Sequence, residues 1–233
     1  MKRKSVLKVL GLFLSSLLFI QCQTTTYKKK SEVVWPEDNL KANLKIKPSV
    51  KSPFSVGIYY VNDEYWSKIL ANSKAGELQE FDKEIVSTGA VSYINIINKA
   101  HQNTVEAIRA AGARQDVDAV LILEDSTTFE YRLNFLSPLY LTIVGLWFVP
   151  GHSSEALITM KASLWDVKTG YLILTSRGEG EYNTWGSYQS LNNRELPART
   201  IKGATKESLK SLLRHIKRET PKAIIKLSKY YKN

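Results

Sequence analysis

A single cysteine among 233 residues excludes an intrachain disulfide, so Cys22 has to be explained by where it stands. Histidine is scarce as well. His101, His152 and His215 are far apart in the chain, and with no cysteine besides Cys22 no metal-ligand spacing can be written. No apolar run reaches the roughly 20 residues that a spanning helix needs. Gly178-Glu179-Gly180 is the nearest approach to a phosphate loop, but the Lys-Ser/Thr pair and the helix start that a nucleotide site requires are missing. The only crowding of base, nucleophile and carboxylate is His152-Ser153-Ser154-Glu155. Successive side chains on extended backbone point to opposite faces, and no Gly-x-Ser-x-Gly elbow frames these serines, so a turn is expected there and not a triad. No cofactor, metal or catalytic residue is therefore expected.

What the chain does contain begins with its leader. Lys2, Arg3, Lys4 and Lys8 precede an apolar stretch from Val9 to Ile20, the basic start and short apolar centre of a secretory signal. The formal net charge of +11 includes these four, and the remaining excess lies largely toward the C-terminus. Leu18-Phe19-Ile20-Gln21-Cys22 looks like a relaxed lipobox, with Gln21 in place of the usual small residue. Residues 1–21 then read as a lipoprotein signal peptide and Cys22 as the lipidation site. Acyl chains there, at about 0.8 kcal/mol per buried CH₂, hold a domain to a leaflet.

Residues 22–53 are polar, rich in Lys and Thr, and carry Pro36, Pro48 and Pro53; they read as a flexible tether. Lys28, Lys29 and Lys30 within it are a solvated run, or alternatively touch anionic head groups. One domain fills the rest, residues 54–233, which is enough for one core of ordinary size. Phe54 to Val61 reads as an interior strand. Trp66, Ile69, Leu70, Leu78, Phe81 and Ile85 recur at helical spacing, as one broken helix or two. Gly89 to Ile97 is a second strand, and Asn103 with Glu106 suggests a capping box for the next helix. Asp118 to Glu124 reads as a short buried strand, and β-branched and aromatic Leu139 to Val149, stopped by Pro150-Gly151, as another.

Ile158, Met160, Ala162 and Leu164 alternate with Thr159, Lys161 and Ser163, the period of a strand with one buried face. Asp166 to Gly170 suits a hairpin loop, with Tyr171 to Ser176 returning. After Tyr182 comes an aperiodic loop whose Trp185 and Tyr188, with His152, are candidate partner contacts; these aromatics alternatively cap the core. Leu209, Leu212, Leu213 and Ile216 form a helical stripe opposite Lys206, Lys210, Arg214, Lys217 and Arg218. Thr220-Pro221 fits the start of a second short helix. A basic helix of this kind lies on a membrane, meets nucleic acid, or simply packs its stripe on the sheet. An exported protein meets little nucleic acid, so none is expected as a partner. The expected fold class is α/β (α+β), with a mixed, largely antiparallel sheet and helices packed on it.

With the lipobox, the DAVLILE strand, LYLTIVGLWFVPGHSSE and the SLWDVKTGYLIL hairpin in view, the chain resembles the rhombotarget lipoprotein family over roughly Phe54 to Ile216. More distantly it is similar to the periplasmic α/β domains of the LpoB, CsgG and TolB N-terminal families. Rhombotarget members usually end in a glycine-pair sorting signal, an apolar span and a basic tail; Lys226 to Asn233 has no such span. The resemblance therefore implies the domain and the lipid anchor, not C-terminal sorting, and carries no catalytic residue.

Three function classes follow. One is a non-catalytic binding or scaffolding lipoprotein of the envelope, touching the bilayer through acylated Cys22 and an unidentified envelope protein through exposed aromatics and a free sheet edge, with an oligomeric state the residues do not give. The second is a subunit of a CsgG-like secretion or envelope assembly, with Phe135 to Val149 contributing to a barrel; its strands would need about 9 to 11 alternating residues, and Leu139 to Val149 alternates poorly. The third is a serine hydrolase at His152 to Glu155.

Overall fold

The structure, a computed structural model, describes residues 25–30, 32–33, 46–61, 81, 83–97 and 100–230. The leader and Cys22 lie outside these, as do Trp66, Ile69, Leu70 and Leu78 of the expected helical segment. Six strands form one sheet: β1 (Thr25–Lys30), β2 (Phe54–Tyr60), β3 (Val91–Ile96), β4 (Ala119–Leu133), β5 (His152–Asp166) and β6 (Leu172–Gly186). Their order is β3-β2-β4-β5-β6, with β1 also on β4. β2 runs parallel to β3 and β4, while β4, β5 and β6 are antiparallel, as is β1 on β4. The protein is thus α/β with a mixed, mostly antiparallel sheet.

The β5–β6 hairpin shows why. Ile158, Met160, Ala162 and Leu164 are all buried while Lys161 is exposed, so one face is committed to a core. At the turn, one carboxylate oxygen of Asp166 accepts from the N–H groups of Lys168 (2.9 Å) and Thr169 (3.0 Å). Gly170 takes φ +73°, a conformation glycine adopts without a Cβ clash. β6 runs far past Ser176, to Gly186. Its Arg177-Gly-Glu-Gly-Glu stretch has no β-branched residue to announce a strand. A helix holds it flat: Cβ atoms at Gly178 and Gly180 would lie 2.3 Å and 2.2 Å from the backbone oxygens of Ser208 and Ala204.

That helix is α4 (Glu195–Tyr230), following α1 (Val105–Arg114), α2 (Ile143–Phe148) and α3 (Tyr188–Asn192). At 36 residues and 1.5 Å per residue, α4 is about 54 Å long, matching strands of fifteen residues at about 3.3 Å each. It lies along the hairpin, and Leu209, Leu212, Leu213 and Ile216 are buried against the sheet. Residues 81 and 83–86 are helical, and Phe81 and Ile85 join the same core; Lys217 pairs with Glu84 at 2.6 Å. On the opposite face, Val105, Ile108 and Ala111 of α1 cover β2 and the first half of β4.

Four expectations are corrected. Thr220-Pro221 starts no new helix; α4 continues through Pro221. Leu227 and partly buried Ala223 and Ile224 pack on the core beyond the proline, and this burial outweighs the missing N–H. The N-cap of α1 is Thr104, whose hydroxyl accepts from Ala107 N–H; Asn103 instead accepts from the Tyr59 hydroxyl at 2.8 Å. The Asp118–Glu124 strand extends to Leu133 because β5 and β1 pair with its polar half. Finally, Leu139 to Val149 is not a strand. Ser137–Leu141 forms a 3-10 helix and Ile143–Phe148 forms α2, nucleated by the Thr142 side chain accepting from Gly145 N–H.

The described parts of the expected tether also lie on the sheet. β1 pairs Thr25 with Tyr131 through Lys30 with Ser126, and Val33 N–H donates to Glu124 at 2.6 Å. Ser49 and Val50 N–H donate to Asp166 at 2.5 Å and 3.2 Å. The scattered apolar residues of this stretch supply the grip: Val33 and Val50 are buried, and Tyr27 packs on the core.

Candidate functional site: an apolar lobe, its aromatic base and an open sheet edge

Between β4 and β5 the chain leaves the sheet and returns after a helical lobe, residues 134–151. No Asp, Glu, Lys or Arg occurs between Arg132 and Glu155, yet the lobe is not covered. Phe135 is 75%, Leu141 77% and Phe148 80% exposed, and Leu139, Val144 and Trp147 are also exposed. Single exposed apolar side chains are ordinary on a protein surface. Six on one uncharged excursion make it a candidate contact surface.

The lobe is fastened at its base. Asn134 Nδ2 donates to Pro150 O at 2.6 Å, closing the excursion. The Tyr140 ring stacks on His152 with centroids 5.3 Å apart, its hydroxyl is joined to His152 Nδ1 at 2.7 Å, and Tyr188 packs against both rings. Burial holds the His152 imidazole below its ordinary value and raises the Tyr140 hydroxyl, so both are neutral near pH 7. On the other sheet face, Phe135 meets Trp185 edge-on at 5.9 Å.

Of the three partner-contact candidates, the structure brings His152 and Tyr188 together and places Trp185 one strand residue away on the opposite face. Trp185 and Tyr188 do not stand in a loop: Trp185 closes β6 and Tyr188 opens α3, capped by the Ser187 hydroxyl. Both are about half exposed, whereas His152 is buried. Tyr140 escaped sequence reasoning, since nothing local distinguishes it from its apolar neighbours. The exposure of Phe135, Leu141 and Phe148 escaped it as well, although the uncharged run was the available signal.

His152 to Glu155 is strand, not turn, because His152, Ser153, Ser154 and Glu155 each pair with β4 and β6. Ser154 is fully buried, and its oxygen accepts from Thr200 Oγ1 at 2.9 Å. Ser153 faces the opposite side. The barrel expectation for Phe135 to Val149 likewise finds helix in place of strand.

A second surface lies on the sheet face that α1 leaves uncovered. Opposed in register across β4, β5 and β6 stand Glu124, Lys161 and Arg177, which with Ser163 and Thr175 line an open cleft of about 360 Å³. Beyond them Leu157, Glu179, Glu181 and Asn183 are exposed, and Arg177 pairs with Glu179 at 2.6 Å. Among the described residues no strand pairs with the outer edge of β6, which runs for fifteen residues. Carboxylates elsewhere are used structurally: exposed Asp118 accepts from Ser55 N–H and Oγ, and buried Asp125 accepts from the Tyr60 hydroxyl at 2.7 Å. Burial, then the Asp125 charge, pushes the Tyr60 phenol well up. Among the described residues no three His, Cys, Asp or Glu side chains converge on a metal position.

No protein-family model and no curated protein matches this sequence. Solved structures are similar at low identity. An uncharacterised lipoprotein B from Nitrosomonas europaea is 15% identical, with 75% of this chain and 90% of that one covered and a TM-score of 0.34. A lipoprotein from Neisseria meningitidis is 14% identical, with 64% and 97% covered and a TM-score of 0.28. The PelC dodecamer from Paraburkholderia phytofirmans is 11% identical, with 78% and 99% covered and a TM-score of 0.29. These are distant likenesses and assign no activity.

Proposed function

We propose that this chain is a bacterial cell-envelope lipoprotein, held at the outer membrane or cell surface of a diderm cell by acyl chains on Cys22, and that it works by binding a protein partner and not by catalysis. The anchoring half rests on the leader that closes at Cys22 and on the resemblance to rhombotarget lipoproteins. The observation that carries the binding half is the fifteen-residue outer edge of β6, with which no strand pairs among the described residues. An unpaired edge offers a row of backbone donors and acceptors to an incoming strand. Arg177, Glu179 and Glu181 on the same strand discourage indiscriminate pairing and favour a partner whose charges alternate to match.

Two measurements test the two halves. Intact mass and membrane fractionation of the wild type should show added acyl mass and a membrane pool, both lost in Cys22→Ala; an unmodified, soluble wild type removes the anchor. A photo-crosslinking residue at Asn183 on the β6 edge should trap one defined envelope protein in cells, while the same residue at Lys210, on the exposed face of α4, should not. Equal trapping at both positions, or none at Asn183, removes the edge as the binding surface.

A further inference from the structure

We infer that the 135–148 lobe seats in the surface of the same bilayer that receives the acyl chains of Cys22, so that the domain stands on the membrane on two feet. The register of β1 is what brings the two together. Thr25 lies opposite Tyr131, two residues before β4 ends at Leu133 and the lobe begins. Cys22 precedes Thr25 by three residues, and at roughly 3.3–3.6 Å per residue its Cα stays within about 11 Å of Thr25. Any lipid attached to Cys22 therefore enters a membrane at the lobe's end of the sheet. The opposite end, with the Asp166–Gly170 turn and Tyr230 against Tyr171, is the far pole.

The lobe has the chemistry for that seat. Val144, Trp147 and Phe148 share one face of α2, exposed Phe135, Leu139 and Leu141 add to it from the segment before, and no charge interrupts them, which suits burial at the acyl boundary of a leaflet. The base carries Tyr140, Tyr188 and Trp185, rings with an apolar body and a polar tip, of the kind enriched at head-group depth. Exposed Arg132 and Arg199 flank it, Arg199 donating to Trp185 O. α2 has six residues, about 9 Å of helix, and among the described residues no helix is long and apolar enough to cross a membrane. The lobe thus dips into the interface and does not span. A second copy of the chain is the competing occupant, but it gives no reason for the lobe to share an end with Cys22.

The orientation rests on the proposed acylation of Cys22; the affinity of the lobe for lipid does not. The test therefore uses the full mature chain as Cys22→Ala with vesicles of phosphatidylethanolamine and phosphatidylglycerol. This protein should float with the vesicles. Leu141→Ser combined with Phe148→Ser should reduce the partition at least tenfold with no change in the thermal midpoint, because both side chains are exposed. Acyl chains brominated near the head group should quench tryptophan emission, and Trp147→Phe should remove most of that quenching. Absent partition, or partition that survives the double variant, overturns the inference. So does a concentration-dependent dimer, seen by sedimentation, that the double variant dissociates; it assigns the lobe to a second copy. The mass of the wild type separates the two readings. Acyl mass without lobe-dependent partition leaves the anchor and removes the second foot, whereas lobe-dependent partition without acyl mass leaves the lobe in lipid and removes the anchor.

Discussion

Asp166 is fully buried and carries the two jobs that hold the far pole together. Its oxygens accept from Lys168 and Thr169 inside the turn and from Ser49 and Val50 across it. Hydrogen bonds to a buried charge are worth more than neutral ones, so Asp166→Ala should cost about 2–4 kcal/mol in urea unfolding and expose residues 46–53 to protease. If that segment stays protected, the clamp is not what holds it. His152 gives a pH signature with a definite sign. Its folded value is held below the ordinary 6.5, so the unfolded chain binds the proton more readily and stability falls as pH drops below about 6.5. The thermal midpoint of the wild type should decline between pH 6.5 and 5 more steeply than that of His152→Gln, and parallel curves would contradict it.

At the scale of elements, α4 and β6 depend on each other through small residues. Gly180→Val would push a branched side chain into the Ala204–Ser208 backbone, and the loss should be about 2 kcal/mol or more by chemical denaturation. A wild-type midpoint would mean that α4 lies farther from the strand. Pro221 sits exposed in the interior of α4, where proline is about 3 kcal/mol less favourable than alanine. Pro221→Ala should therefore stabilise the protein by about 1–3 kcal/mol. A proline at the first position of a separate helix would give the opposite sign, so the same measurement decides between one helix and two.

For the whole molecule, β1 fixes Thr25 at the lobe's end of the sheet, opposite Tyr131. In hydrogen exchange the β4 amides of residues 126–131 should be protected in the full chain and exchange faster once residues 23–33 are deleted, while those of 119–123, covered by β2, should change little. Unchanged exchange along all of β4 would detach β1 from the sheet and with it the placement of Cys22.

How much of this was legible in the residues depends on how local each signal is. The hairpin was, because alternation from Ile158 to Leu164 and the Asp-Val-Lys-Thr-Gly turn are read within a few residues. So was the apolar stripe from Leu209 to Ile216 in α4. The length of β6, the continuity of α4 through Pro221 and the pairing of β1 were not, since each is settled by a partner distant in sequence: a helix resting on Gly178 and Gly180, a core waiting for Leu227, a polar half of β4 waiting for Thr25 to Lys30. The run from Leu139 to Val149 has strand-forming residues, but nothing beside it to pair with, and an unpaired apolar segment satisfies its backbone by coiling. By itself the sequence determined the α/β class and the hairpin, because those follow from composition, period and turn chemistry. Only the tertiary structure decided that the uncharged lobe is exposed, and that it shares one end of the sheet with the start of β1, because burial and register are properties of the assembled sheet.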